Sequence, residues 1–132
     1  MSTFLIVDDD RTARLLIAQI VVRNGHQYIA ASDGKRALEV LKDNPQVDVI
    51  ITDMQMPNMR GDELVAKIRT DAHWQSTPII MVSGFVQTHE VKDLLKSGVD
   101  RFVPKPIDTH QIGIYINDMA DQSKEQQSTD AA

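Results

Sequence analysis

The stretch Val49-Ile50-Ile51-Thr52-Asp53-Met54-Gln55-Met56-Pro57 decides the fold of this chain. An apolar, β-branched run ends in one carboxylate, Asp53, and a loop that contains a proline follows directly. Apolar residues at successive positions, rather than at alternating ones, predict a strand that is buried on both faces. Such a strand delivers its last side chain to the carboxyl edge of an open α/β sheet, where these sheets bind ligands. Asp53 is therefore the first candidate functional residue.

Four further apolar runs predict strands, and helical patterns alternate with them. The five predicted strands are Phe4–Val7, Gln27–Ala31, Val47–Thr52, Pro78–Val82 and Arg101–Val103. Between them apolar residues recur at helical spacing. In the first helix the predicted core face consists of Ala13, Leu16, Ile17, Ile20 and Val21. Because repeated βα units with doubly buried strands form parallel sheets covered by helices on both sides, the pattern predicts an α/β fold.

Polar side chains stand where four of these strands end. They are Asp8 and Asp9 after the first strand, Asp53 after the third, Ser83 after the fourth and Lys105 after the fifth. The carboxyl ends of parallel strands share one edge of the sheet, so we expect these side chains to converge although they are distant in sequence. The next acidic residue, Asp10, fits better as the N-cap of the first helix than as a ligand.

Three carboxylates in one place repel each other and raise each other's pKa. A divalent cation such as Mg²⁺ relieves this repulsion, since it binds oxygen ligands and accepts one or two carboxylates. The ammonium group of Lys105 adds a second compensating charge. A serine hydroxyl on the neighbouring strand can donate to a phosphoryl oxygen. Together these groups suit phosphoryl transfer onto a carboxylate, where catalysis consists mainly of positioning and charge neutralisation.

The composition excludes several classes of function. A chain of 132 residues fits one domain, and a net charge of -5 argues against a surface that binds nucleic acid. The absence of cysteine excludes disulfides and thiolate metal sites. No apolar run reaches the roughly 18 residues of a membrane span. The N-terminus enters a strand directly and does not resemble a signal peptide, which favours a cytoplasmic location.

At this point the chain resembles the receiver domains of response regulators, the phosphoacceptor modules of two-component signalling, and among them the single-domain chemotaxis regulators. The resemblance covers about residues 3 to 120 and rests on the strand-end residues above and on the loop Met54–Gly61. It implies a flavodoxin-like (βα)5 doubly wound sandwich with a five-stranded parallel sheet in the order 2-1-3-4-5. We assign residues 1–121 to this receiver domain and the polar residues 122–132 to a disordered tail.

The resemblance also implies a role for each site residue. Asp53 would be the phosphoacceptor. Asp8, Asp9, Asp53 and the backbone carbonyl of Gln55 would bind Mg²⁺, for which Mn²⁺ or Ca²⁺ can substitute. The phosphoryl-binding and switch residues would be Ser83, Gly84, Lys105 and Phe102, with a cis peptide bond at Pro106.

Two further positions, Gln55 and Phe85, would flank the path of the attacking water and tune the lifetime of the acyl phosphate. Because the Phe85 side chain cannot orient a water molecule, slow self-dephosphorylation is expected. On the first helix, Arg11, Leu15, Ala18 and Val22 form a second stripe opposite the core face. An apolar stripe beside the acidic site would suit docking of a phosphodonor, although isolated apolar residues are also common on protein surfaces.

The implied function is a signalling module and not an enzyme beyond its self-dephosphorylation. It would accept a phosphoryl group from a histidine kinase or a histidine phosphotransfer protein. The phosphoryl group would change the surface formed by the fourth helix, fifth strand and fifth helix, which a downstream protein would bind. We expect no contact with nucleic acid, no membrane insertion, and a monomer or weak dimer.

Two alternatives remain open at the level of sequence. The segment Asp8-Asp9-Asp10-Arg11-Thr12 fits the Asp-x-Asp-x-Thr motif of haloacid-dehalogenase-like phosphatases, with Asp8 as the nucleophile. That interpretation leaves Asp53 and its loop without a role, and the chain is short for that fold. A receiver-like module that is never phosphorylated is the second alternative, and the complete set of site residues argues against it.

Overall fold

The computed structural model describes residues 1–84 and 87–131. Strands and helices alternate five times along the chain, as predicted. The elements are β1 (Thr3–Val7), α1 (Arg11–Arg23), β2 (Gln27–Ala31), α2 (Gly34–Asp43), β3 (Val49–Asp53), α3 (Gly61–Thr70), β4 (Ile79–Ser83), α4 (Thr88–Lys96), β5 (Arg101–Pro104) and α5 (Thr109–Ala131). Asp53 and Ser83 are the last residues of their strands rather than the first residues of the following loops.

The five strands form one parallel sheet in the order β2-β1-β3-β4-β5, which confirms the predicted topology. In the register of the sheet, Asp53 pairs with Val82, and Ser83 pairs with Pro104. The neighbouring strands therefore end at nearly the same level, and the loops that follow them share one edge of the sheet. This edge carries the predicted site residues.

The sheet separates two apolar layers. Successive residues of one strand enter opposite layers, so that Leu5 packs under α2, α3 and α4 whereas Phe4 packs under α1 and α5. The same division holds for Ile50 and Ile51 in β3. Burial on both faces explains why the strands are continuous apolar runs without alternating polar residues.

Three aspartates begin helices by accepting hydrogen bonds from backbone N–H groups. Asp10 accepts from the N–H of Thr12 at 3.1 Å and caps α1, as predicted. Asp33 accepts from the N–H of Arg36 at 2.8 Å and caps α2. The carboxylate of Asp108 accepts two N–H groups at the start of α5. These caps satisfy backbone donors that have no partner within the helix.

The predicted faces of α1 are wrong at two positions. Leu16, predicted to face the core, is 37% exposed, whereas Ala18, predicted on the outer stripe, is only 5% exposed. The run Leu15-Leu16-Ile17 allows more than one helical phase, so the pattern alone did not identify which leucine points outward. Ala18 lies in a groove bordered by Leu15 and longer side chains, and its short side chain does not reach solvent past them.

The C-terminal segment differs from the predicted disordered tail at 122–132. The structure continues α5 as a helix to Ala131. No glycine or proline interrupts residues 114–131, so the sequence contains no signal that ends the helix. Ser123 is only 5% exposed and borders a cavity together with Val47 and Trp74. Although α5 has 23 residues, no described helix combines the length and the apolar character needed to cross a membrane.

Candidate functional site

The structure brings together the strand-end residues that the sequence predicted to converge. The ammonium nitrogen of Lys105 lies 3.3 Å from Oδ1 of Asp53 and 3.4 Å from Oδ2 of Asp8. The backbone N–H of Lys105 donates to the carbonyl oxygen of Ser83 at 3.0 Å. Asp8, Asp53 and Ser83 are buried, and the Lys105 side chain is partly exposed. Residues that are 97 positions apart in sequence thus form one polar cluster.

Asp8 is held from two directions by the residues that follow it. The backbone N–H of Asp10 donates to its Oδ1 at 2.9 Å, which leaves Oδ2 facing Lys105. The guanidinium group of Arg14 donates to the Asp8 carbonyl oxygen at 2.8 Å and fixes the backbone of the loop after β1. Sequence reasoning missed this role of Arg14. The sequence feature that could have indicated this role is the position of the arginine, one helical turn after the acidic residues.

The loop after Asp53 folds back tightly against the end of β3. The backbone N–H of Met54 donates to Oδ1 of Asp53 at 2.9 Å, and the N–H of Gly61 donates to the Met54 carbonyl oxygen at 2.8 Å. A Cβ atom at Gly61 would overlap the carbonyl oxygen of Asp53. The first residue of α3 must therefore be small, which the sequence pattern alone did not explain.

Three carboxylates at this edge fit a divalent cation. Oxygen atoms of Asp8, Asp9 and Asp53 all lie within 4.8 Å of one another. Asp9 is exposed while Asp8 and Asp53 are buried. A cation could therefore enter from solvent past Asp9 and bind to the two buried carboxylates. An all-oxygen set of this kind suits Mg²⁺. Gln55, whose carbonyl is the further predicted ligand, borders the adjoining cavity.

The pKa values of Asp8, Asp53 and Lys105 reflect their burial first and their mutual charges second. Burial raises the pKa of Asp8, and the charge of Asp53 adds to that rise against a hydrogen bond from Asp10. Burial likewise raises the pKa of Asp53, although attraction to Lys105 opposes it. Burial lowers the pKa of Lys105, but its two carboxylate partners outweigh burial and the net direction is upward. One ammonium shared by two carboxylates leaves negative charge for a cation to compensate.

A cavity of about 480 Å³ opens beside Asp53. Its walls include Gln55, Ser83, Gly84 and Lys105. Among the described residues, a Cβ atom at Gly84 would meet Cβ of Lys105 at 3.6 Å, which is an ordinary contact. The cavity therefore brings a carboxylate, an ammonium group and a serine residue around a space large enough for a phosphoryl group.

Phe102, the predicted switch residue, is not among the residues that line this cavity. Phe102 is half-buried and packs against the apolar layer under α2, α3 and α4. Phe85, predicted to tune the lifetime of the acyl phosphate, lies outside the described residues. The peptide bond between Lys105 and Pro106 is cis, as the resemblance implied.

The predicted docking stripe is present on α1 with one change. Arg11, Leu15 and Val22 are exposed, with exposed fractions of 49% for Leu15 and 54% for Val22. Leu15 and Val22 border a mostly apolar groove of about 340 Å³ together with Tyr28 of β2. Buried Ala18 also borders this groove.

Comparisons with known proteins agree with this arrangement. The family model of the response regulator receiver domain matches residues 4–117. Over 103 residues the chain is 41% identical to a chemotaxis protein CheY homolog of Campylobacter jejuni, covering 77% of this chain and 79% of that protein. It is 39% identical to the chemotaxis protein CheY1 of Helicobacter pylori, covering 77% of this chain and 83% of that protein.

Solved structures show the same fold. A receiver domain protein from Clostridium thermocellum superposes with a TM-score of 0.87 at 24% identity, covering 96% of this chain and 99% of that one. The chemotaxis protein CheY4 of Vibrio cholerae gives 0.83 at 26% identity, covering 90% and 98%. The chain therefore belongs to the response regulator receiver domain family, whose members are two-component signalling modules rather than enzymes.

Proposed function

We propose that this chain is a response regulator whose Asp53 accepts a phosphoryl group from a phosphohistidine in a Mg²⁺-dependent reaction. The observation that carries the proposal is the position of Asp53. Its buried carboxylate ends β3, contacts the ammonium group of Lys105 at 3.3 Å and borders a cavity that Ser83 also lines. A carboxylate nucleophile thus stands next to groups that can bind phosphoryl oxygens.

In the transfer, a carboxylate oxygen of Asp53 attacks phosphorus. The new P–O bond forms as the P–N bond to the donor's imidazole breaks, and the imidazole nitrogen keeps the bonding electron pair. The other nitrogen of the donor's ring carries a proton, so the imidazole departs as a neutral molecule. Lys105 offsets the negative charge of the transferred group, and the upward direction of its pKa keeps it protonated.

Asp8, Asp9, Asp53 and the Gln55 carbonyl would hold Mg²⁺. When bound, the cation would neutralise charge on the phosphoryl oxygens and on the carboxylates. The three carboxylates within 4.8 Å of one another and the raised pKa values of Asp8 and Asp53 support this assignment. Mn²⁺ and Ca²⁺ would be accepted by the same oxygen ligands.

Phosphorylation would change the surface formed by α4, β5 and α5. The backbone N–H of Lys105, directly after β5, donates to the carbonyl oxygen of Ser83 at the end of β4. A shift of one strand end would therefore displace the other. Phe102 on β5 would repack as this edge moves, and a downstream protein would distinguish the two states. The regulator would act as a monomer or weak dimer, and the Phe85 side chain would give slow self-dephosphorylation.

The site of phosphorylation tests the proposal against the phosphatase alternative. The protein is incubated with Mg²⁺ and acetyl phosphate, and the phosphorylated residue is identified by reductive trapping and mass spectrometry. We expect the label on Asp53, and none in Asp53→Asn. A label on Asp8 would overturn the proposal and favour the phosphatase. Asp53 borders the cavity beside Lys105 whereas Asp8 does not line it, which supports the first outcome.

A further inference from the structure

A groove between α3 and α4 is larger than the cavity beside Asp53 and has no role in the function proposed above. Its volume is about 610 Å³. The centre of its lining is apolar, since it contains Met54, Ala66 and Leu94. Met54 and Leu94 are buried at its base, while Ala66 is exposed and its short side chain leaves space in the middle of α3. We call this feature the α3–α4 groove.

The borders of the α3–α4 groove are acidic on both sides. Asp62 and Glu63 line it from α3, and Glu90 and Asp93 line it from α4. The one basic residue of the lining, Arg60, is already paired with Asp62 at 3.2 Å. Carboxylates contributed by both helices give the groove a negative potential, which attracts cationic side chains.

The first turns of α3 and α4 explain only part of this charge. Asp62, Glu63 and Glu90 lie in first turns, where acidic residues stabilise the helix dipole. Asp93 lies beyond the first turn and gains little from it. The lysines of the same helix, Lys92 and Lys96, do not line the groove. The acidic and basic residues of α4 are therefore segregated, and the acidic ones face α3.

The charge excludes several kinds of ligand. Phosphates, nucleic acids and acidic peptides would be repelled. A second copy of this chain docking through the same groove would place carboxylates against carboxylates. Among the described residues, the group of three carboxylates close enough together to hold a metal ion is that of Asp8, Asp9 and Asp53, and no such group of three lies in the groove.

A groove between two helices with buried apolar residues and acidic side chains from both helices fits one kind of partner well. We infer that the α3–α4 groove binds a basic amphipathic helix of another protein. Apolar residues at positions i, i+3, i+4 and i+7 of that helix would contact Met54, Ala66 and Leu94, and its lysines or arginines would reach the carboxylates on both borders. This surface differs from the exposed α1 face and from the surface of α4, β5 and α5.

A synthetic peptide provides the probe. The peptide is a fluorescent amphipathic helix of leucine and lysine with about 14 residues, or four turns, and binding is measured by fluorescence anisotropy with the full chain. The double variant Glu90→Gln with Asp93→Asn removes two charges from the groove. Its control, Glu39→Gln with Asp43→Asn, removes two exposed charges from α2. A third variant, Ala66→Gln, fills the middle of the groove without changing the charge.

We expect the groove variant to bind about tenfold more weakly than the wild type, and the α2 control to change by less than about twofold. Ala66→Gln should also weaken binding severalfold. Equal losses in the two double variants would show attraction to the net charge alone and would overturn the inference. Unchanged binding in Ala66→Gln would overturn it as well, because the peptide would then lie elsewhere.

Discussion

Charged side chains are arranged differently at the two edges of the sheet. At the amino edge, the guanidinium group of Arg69 donates to the carbonyl oxygens of Trp74 at 2.9 Å and of Gly98 at 2.6 Å. Its ion pair with Asp100 measures 3.2 Å, and the same Asp100 oxygen accepts the N–H of Ile79 at 2.8 Å. Arg69 and Asp100 thus form a balanced pair of charges, and both side chains form further hydrogen bonds with backbone groups.

At the carboxyl edge the charges do not match. Asp8 and Asp53 share the ammonium group of Lys105, the carboxylate of Asp9 lies close to theirs, and a cavity opens beside Asp53. The pKa values of Asp8 and Asp53 are raised, first by burial, so the ionised carboxylates lower the stability of the metal-free fold. The amino edge thus balances its charges within the chain, whereas the carboxyl edge leaves negative charge that the chain does not offset.

Breaking the amino-edge network should have the largest effect. Arg69→Met leaves Asp100 partly buried without its cation and removes the guanidinium donors of the Trp74, Gln75 and Gly98 carbonyl oxygens. Because the pair is partly exposed, with side-chain exposures of 18% and 28%, we expect a loss of about 3 kcal/mol, at the low end for buried pairs. Urea denaturation measures it. The control is Arg60→Met, whose pair with Asp62 is exposed and should contribute under about 0.5 kcal/mol.

The carboxyl edge should be most sensitive to added volume at Gly61. Gly61→Ala places a methyl group against the Asp53 carbonyl oxygen, so the loop or α3 must move. We expect destabilisation of about 2 kcal/mol and reduced labelling by acetyl phosphate. Gly84→Ala is the matched control for stability, since among the described residues its methyl group meets Cβ of Lys105 at the ordinary distance of 3.6 Å. Equal tolerance of both substitutions would contradict the close packing of Gly61.

The apolar face of α1 should matter to the donor and not to the fold. Leu15→Asp changes a side chain that is 49% exposed. We expect about tenfold slower transfer from a phosphorylated histidine phosphotransfer protein, equivalent to about 1.4 kcal/mol, with acetyl phosphate labelling unchanged. Leu95→Asp on α4, at 45% exposure, is the control and should leave transfer from the donor unaffected. A normal rate in Leu15→Asp would remove the docking role.

The smallest expected effect concerns charge at Asp53. The pKa of Asp53 in the folded state is raised, so its ionised form costs stability above that pKa, and the cost is relieved as the pH falls through it. At pH 8 without metal, Asp53→Asn should therefore be more stable than the wild type by about 1 kcal/mol. The difference should shrink as the pH is lowered.

Added Mg²⁺ should reverse this order, because a ligand that binds only the folded state stabilises it and the wild type has the complete set of carboxylates. Thermal unfolding of both proteins, with and without Mg²⁺, measures both effects. If Mg²⁺ raised the two melting temperatures equally, Asp53 would not be a ligand.

Strand order and site composition could be predicted from the sequence because their signals are local. Strands buried on both faces are apolar runs in the sequence. In a parallel sheet, the residue that ends each run lies at the carboxyl edge of the sheet. Asp53, Ser83 and Lys105 are thus placed by strand direction alone. The cap at Asp10 was predictable for the same reason, since its partner lies two residues away.

Contacts over longer distances left no such signal. Arg14 donates to the backbone carbonyl oxygen of Asp8. Because every residue has such a carbonyl, the sequence does not indicate which one is the acceptor. Arg69 joins backbone groups of two loops that are adjacent only in the folded chain. On α1, three successive apolar residues made its phase ambiguous. At the C-terminus, polar composition indicated disorder, whereas the absence of glycine and proline allowed α5 to continue.

The 97-residue separation of Asp8 and Lys105 has a consequence for the synthesis of the chain. The ammonium group enters the site only after β5 has paired with β4 at the edge of the sheet. A nascent chain that ends before β5 can contain every acidic residue of the site and still lack its cation. The complete charged cluster therefore forms only with the last βα unit of the fold, and under the proposed function a ribosome-bound, incomplete chain should not accept a phosphoryl group.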